Sequence, residues 1–544
     1  MRKIQMLAWY FLGLFFIGIS GSEGTFAQDF FKIEQKAQNL WKKGKYYESS
    51  LQYEILLQNN PQKLDYYVAL TRLYRTLYVP KKMKLVLEQG LLLDPENTTL
   101  LTEKAGYLLL QKEVDSAIQL LLRLVEKNQE YSLMMDLADA YIDKKEEPTA
   151  RKWIQQATSV LADQPRTCQI WAKFHFQFKN VDMAINYCWF LLDNYDPQIY
   201  PLLKLGNGWV YSHAEPEAAL EPKISSPEWI KAIELYQQGS YELALPLFKS
   251  SAEETFAQHF FRGCTYLHLQ NHKQAEQELK IALEIEPKNA RNLNALGTVK
   301  LIRARKKQAL AYHPLFPEWK FPDVAVLDIE QLIPPWSRLS PEEKKLLSYS
   351  IYPFRQYLPH LIAEKVHHHI IDFSQKISNI PELTYLESDR VRTFDGRLYQ
   401  DVRGVGGKNA VTSLEDIWYA MEAGFNTFAH EFAHQLMEFG FSSKEQEEIK
   451  RLYLQAKEKN LFVDDYADSN PEEYFAQGYE AYISFFKRPW CGRTADNTHH
   501  FLKKIDPDLF LFLEQKRDPD FFKHPQIQHY HSLCEQLQKE FAEE

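Results

Sequence analysis

At 544 residues, with 45% apolar and 25% charged side chains, the chain is long enough for two or more hydrophobic cores and has the composition of a folded protein. A net charge of −9 at pH 7, and no basic stripe interleaved with aromatics, argue against nucleic acid as a partner. Five scattered cysteines (Cys168, Cys188, Cys264, Cys491, Cys534) form no CxxC pair and no disulfide framework, although a single Cys168–Cys188 bond is compatible with export.

The first predicted element is an address. Arg2 and Lys3 precede an apolar run from Met6 to Ile19, and small or polar residues then lead to Thr25, Phe26 and Ala27. A basic start, a short apolar stretch and this ending match a secretory signal over residues 1–27, cleaved near Ala27. The expected location is therefore periplasmic or secreted, with an uncleaved membrane anchor as the alternative. No other segment is long and apolar enough to span a bilayer.

Residues 28–312 are predicted as helix after helix. Ser50, Met83, Ala117, Ala150 and Ala184 are separated by 33, 34, 33 and 34 residues, and Ala244 and Ala275 continue the series after a longer gap. Further small residues sit seven positions on at Gly90, Ala157 and Ala282, while Pro61, Pro95 and Pro287 close units where a helix must stop. Paired helices that cross closely need small side chains at the crossing. With the stretches QGSYELALPLF and LQNHKQAEQELKIALEIEP, this period resembles the tetratricopeptide repeat. The resemblance implies an all-α solenoid of about seven repeats, whose extended surface recruits a substrate or a protein partner. Met83 and the stretch 192–226 depart from the pattern.

Six prolines between 314 and 341 predict a semi-rigid linker over residues 313–340, packed by Trp319, Phe321 and Trp336. Ser340 then caps a new helix with Pro341 in its first turn, opening a second domain over 341–522, followed by a helical tail over 523–544. The domain is expected to stay helical to about Ser378, carrying His367, His368 and His369 round one helix as a solvated patch. The alternating stretch TYLESDRVRTFDGRLYQDVRGVGGK, with Asp395-Gly396 and a glycine-rich end, predicts a small antiparallel sheet with a hairpin. Helix returns from Ser413 to Ala423. A further helix, capped by Asn426 or Thr427, runs to about Phe439 and stops at Gly440, and another starts near Ser442 with Glu445 completing a capping box.

The helix after Asn426 reads TFAHEFAHQLMEF. His430 and His434, four residues apart, leave one face a turn apart, at a spacing that one tetrahedral Zn²⁺ accepts. Glu431 is rotated away from ligation but placed to act as a general base, which is the H-E-x-x-H arrangement. A third ligand is expected downstream, where DDYADSNPEEYFAQGYEAYISFF offers Glu472, Glu473 and Glu480. His499-His500, beyond that helix, is read like the earlier histidine run as uninvolved.

AHEFAHQLM together with this acidic segment resembles the catalytic domain of anthrax lethal factor-type metallopeptidases, and is similar to the bacterial titration-factor zinc peptidases. The shared pattern is a tyrosine seven residues before a glutamate that an aromatic, Phe and Ala follow: here Tyr466, Glu473 and Tyr474-Phe475-Ala476. The resemblance implies an α+β zincin-like domain with His430, His434 and Glu473 on zinc, Glu431 as base and Tyr466 as oxyanion donor. It further implies substrate lying extended beside a sheet edge, for which the stretch from Arg397 to Val405 is the candidate. Gln477 replaces an acid often found after the ligand, with second-order effects on the metal. Helix geometry also separates Glu472 from Glu473 by about 100°. With Glu473 inward, Ala476, Gln477 and Glu480 share its face, whereas Glu472 would bring Phe475 and Tyr479 to the metal side. The expected protein is thus an exported zinc metallopeptidase acting on protein or peptide substrates. The alternative is an exported repeat scaffold with an inactive zincin-like binding module.

Overall fold

The computed structural model describes most of residues 23–542. Residues 1–22, 191–225, 304–313, 388–402, 489–496 and 543–544, with scattered short breaks, lie outside that description. The apolar run of the expected export signal, Cys188, Cys491, the irregular stretch near 200 and the expected Asp395-Gly396 hairpin therefore fall outside it. Among the described residues no helix is long and apolar enough to cross a membrane.

The N-terminal half is built of antiparallel helix pairs. Glu23–Lys42 pairs with Tyr46–Asn59, Leu64–Thr76 with Pro80–Leu93, Thr98–Leu110 with Val114–Lys127, and Tyr131–Asp143 with Glu147–Val160. Beyond the undescribed stretch, Pro227–Gln237 pairs with Tyr241–Ser250, and Phe256–His268 with His272–Ile285. Each of Ser50, Met83, Ala117, Ala150, Ala244 and Ala275 lies near the start of a second helix, and all are buried, as is Ala184. The crossings explain the spacing. A Cβ on Gly90 would stand 2.9 Å from Leu100 and 3.0 Å from Tyr67, and one on Gly263 would stand 2.6 Å from Leu279. Leu279 is fully buried and has nowhere to swing. Gly263→Val is therefore expected to destabilise the protein by about 1–3 kcal/mol through overpacking, against only ~0.4 kcal/mol regained in helix propensity. A thermal unfolding midpoint equal to wild type would contradict that crossing.

The stretch expected as a linker is built into the core of the second half. Trp319 packs on Phe486 and Tyr530, with ring centroids 5.4 and 5.1 Å away, and Phe321 packs on Tyr349 and Tyr530. Tyr530 belongs to the helix Pro525–Ala542, whose Ile527, Tyr530, Cys534 and Leu537 are buried, so the C-terminal helix also closes this core. Aromatic side chains on a proline-stiffened backbone bury area with little entropy left to lose, which is why the segment docks.

Ser340 caps Pro341–Ile351, as the sequence predicts, and the structure adds a reciprocal capping box with Glu343. One sequence expectation is corrected beyond it. His367–Ile371 is a strand, β1, not helix: its side chains alternate in burial, and Ile370 and Ile371 favour the pleated surface. The described sheet is mixed. β1 runs parallel to β3 (Asn409–Ser413), pairing His367 with Asn409 and Ile371 with Ser413, while β2 (Gly404–Val405) runs antiparallel to β3. The order β1-β3-β2 leaves β2 at an edge among the described strands. Leu414–Met421, capped by Ser413, Thr427–Gln435, capped by Asn426, and Ser443–Lys459, where the Glu445 carboxylate accepts from the Ser442 N–H and hydroxyl, start where expected. The Thr427–Gln435 helix ends in one π turn over Leu436–Gly440.

Candidate metal centre

Two helices position the candidate site, and capping fixes where each begins. Asn426 accepts from the Ala429 amide at 3.1 Å, donates its side-chain amide to Ser350 at 2.8 Å, and donates its backbone N–H to Glu480 at 2.9 Å. Phe428, Ala429, Phe432 and Ala433 bury the rest of that helix, leaving His430, Glu431 and His434 on the remaining side. The second helix, Pro471–Ile483, is capped by Asn470, which accepts from the Glu473 amide at 2.8 Å. Its Tyr474, Phe475, Tyr479 and Tyr482 are buried, so Glu473 turns toward the histidines and Glu472 is exposed.

The result is a triangle of donor atoms. His430 Nε2 lies 3.1 Å from Glu473 Oε2, His434 Nε2 lies 3.5 Å from the same oxygen, and the two imidazole nitrogens are 3.2 Å apart. Ligands about 2.0–2.1 Å from a tetrahedral zinc stand about 3.3 Å from each other, so the three atoms fit that ion. The local field also suits a cation. Burial opposes a charge on His430, but its bond to Glu473 and the carboxylates of Glu431, Glu473 and Glu480 outweigh this and raise its pKa. Burial likewise opposes ionisation of Glu473, yet the two imidazoles hold it down to about 2. Glu431 is buried, and desolvation raises its pKa despite the neighbouring histidines.

Gly406 covers the base. A Cβ there would meet Glu431 Oε2 at 3.1 Å and His434 Cδ2 at 3.2 Å, tighter than ordinary contact, so a side chain here would press on both. Gln435, the residue after His434, ties the helix to the sheet by donating to the carbonyls of His367 at 2.7 Å and Gly407 at 3.2 Å. Tyr466 is 37% exposed, its ring 6.3 Å from that of His430, at the open side.

The structure thus brings together His430, Glu431, His434 and Glu473, and sets Tyr466 beside them. Glu480 faces elsewhere. It accepts from Asn426 N–H and from Lys487, both ionic groups fully buried, and so anchors the start of the histidine helix rather than reaching the donor triangle. Sequence reasoning missed this anchoring, since Lys487 follows the helix with no motif to mark it. Gln477 shares the inward face and is buried, its Oε1 without a protein partner.

His368 and His499, one from each histidine run, are not solvated. His368 is fully buried, with Nδ1 3.1 Å from Gln435 Oε1 and Nε2 2.8 Å from Thr412 Oγ1, and burial lowers its pKa to about 3. His499 is buried among aromatics with Nδ1 2.6 Å from the Tyr482 carbonyl, and burial lowers its pKa to about 4. Each is a neutral core side chain with bonds of its own.

Comparison with known proteins bears on both halves. The N-terminal half has tetratricopeptide-repeat neighbours among solved structures. A tetratricopeptide repeat protein from Parabacteroides merdae shares 15% identity over 50% of this chain and 99% of its own, with a TM-score of 0.26. PilF of Pseudomonas aeruginosa shares 13% over 52% and 98%, with a TM-score of 0.26, and MamA shares 18% over 29% and 92%, with a TM-score of 0.24. No curated protein matches the chain. Residues 351–515, which hold the donor triangle, Glu431, Tyr466 and the three described strands, match the family described as anthrax toxin lethal factor, N- and C-terminal domain.

Proposed function

We propose that the chain is a zinc-dependent metallopeptidase with a zincin-like site in its second half. The observation that carries this reading is the triangle of His430, His434 and Glu473, with donor atoms 3.1–3.5 Å apart and Glu431 buried one residue from the first ligand. When bound, zinc would supply Lewis acidity toward a peptide carbonyl and make a water acidic enough to attack at neutral pH. Glu431, buried beside the would-be ligands, would act as the base toward the attacking water, and its desolvated carboxylate is the stronger base for being held off solvent. Tyr466, its ring beside that of His430, would donate a hydrogen bond to the oxygen on which charge develops. β2, with one edge unpaired among the described strands, accepts an extended peptide by main-chain bonding.

The repeats extend the reading from short peptides to selected proteins, because a helix-pair array presents a long surface for a substrate or partner. The basic and apolar N-terminus supports export of the protein, to be checked by the N-terminal residue of the secreted form.

The test is metal content with hydrolysis. Purified full-length protein should carry one zinc, cleave fluorescein-labelled casein, lose that activity to a chelator and regain it with zinc. Protein that holds zinc but leaves casein and a random peptide library intact would refute the peptidase reading. Tyr466→Phe is expected to retain zinc and lose about 10- to 10³-fold in turnover, as for one oxyanion donor.

A further inference from the structure

We infer that the last repeat helix is a positioning element for the candidate metal site, with Asn294 holding, through Glu415, the arginine that anchors the strand over Glu431 and His434. Arg403 directly precedes β2. Its guanidinium donates to Glu415 at 2.6 and 3.2 Å and to the carbonyls of Gln375 at 2.6 Å and Asp372 at 2.9 Å, with the side chain 12% exposed. Three residues later, Gly406 lies against Glu431 and His434. A shift of Arg403 therefore moves the cover of the site.

The same Glu415 oxygen accepts from Asn294 Nδ2 at 3.0 Å, and Arg291 donates to the Ser374 carbonyl at 2.7 Å. Both residues lie in the helical stretch 291–303, beyond the last described pair of repeats. The apolar packing points the same way. Phe373 and Trp418, from the second half, join the repeat cluster of Phe260, Leu279 and Val299, and the His268 ring is 5.9 Å from Trp418. Asn294 and Glu415 are 121 residues apart in sequence, yet one buried amide couples the array to the edge strand. Load on the repeat surface that displaces this helix would be felt at Gly406. The inference rests on the peptidase reading only for its catalytic consequence, since the coupling itself is a property of the metal-free chain.

Hydrogen exchange on the full-length, metal-free protein tests it. Asn294→Leu removes the donor at nearly constant shape, and Asn294→Asp adds repulsion against Glu415. Exchange at amides 404–408 should quicken about 10-fold or more in Asn294→Leu, the effect of losing a bond to a charged group, and further in Asn294→Asp, with exchange in His272–Ile285 unchanged. Should Asn294→Asp fail to fold, Arg403→Lys provides the second arm. It should quicken the same amides, and Asn294→Leu added to it should bring little more, because the two act through one contact. Equal protection in all variants, or full additivity of the two changes, would overturn the coupling. On labelled casein, Asn294→Leu should raise KM several-fold with kcat nearly constant, whereas a general loss of folded protein would lower the apparent kcat alone. Altered exchange in a protein inert toward casein would keep the coupling and reject the peptidase reading.

Discussion

Glu431→Gln is expected to leave zinc in place and to lower turnover by about 10²- to 10⁴-fold, the range for removing a general base. The substitution keeps the shape of the side chain that lies against Gly406. It does not touch the donor triangle, which His430, His434 and Glu473 form without it. What it removes is the ability to accept a proton. The effect should fall on kcat, with metal content by mass spectrometry unchanged and the Thr427–Gln435 helix intact. A Glu431→Gln protein that hydrolyses casein at the wild-type rate would remove Glu431 from the chemistry, whatever the metal does.

Glu473→Ala and His430→Ala should each weaken zinc binding by more than the about 10- to 100-fold that losing a supporting hydrogen bond to a ligand costs. Glu472→Ala should change metal content and activity little. The two glutamates are neighbours in sequence, but Glu473 Oε2 lies 3.1 Å from His430 Nε2 while Glu472 is exposed. Glu473→Ala also leaves His430 and His434 facing a vacated corner, so the loss comes with no rescue from Glu480, which Asn426 and Lys487 already engage. Zinc titration of the three variants decides the register. If Glu472→Ala empties the site and Glu473→Ala does not, the helix Pro471–Ile483 sits a residue out of turn and Tyr466 loses its assignment too.

A fragment starting near Pro335 would not be a fair test of the isolated second half. It would strip Phe373 and Trp418 of the repeat cluster that covers them, and leave Arg403 and Glu415 without Asn294. The helical repeats and the second half share packing, so their separation in sequence does not make them separable bodies.

What the sequence determined by itself is what short-range geometry controls. The spacing of small residues at 33 or 34 marked positions that are buried at helix crossings, because a helix pair repeats the same close approach in each unit. His430 and His434 had to share a face, since four residues make about one turn, and Asn426 and Ser340 had to start helices because their side chains satisfy the first amides. That Glu473 rather than Glu472 turns toward the histidines was legible from the apolar residues that must be buried on the opposite face.

Only the tertiary structure decided the rest, because it depends on partners distant in the chain. His367–Ile371 became a strand through pairing with Asn409–Ser413, and three adjacent histidines cannot announce a partner about 40 residues away. The proline-rich stretch became part of a core because Tyr530 and Phe486 meet Trp319 there. The same holds for the Glu480–Lys487 pair under Asn426 and for the Asn294–Glu415–Arg403 link. A buried charge or amide is worth having only where a second chain segment completes its bonds, and no local pattern specifies which segment that is.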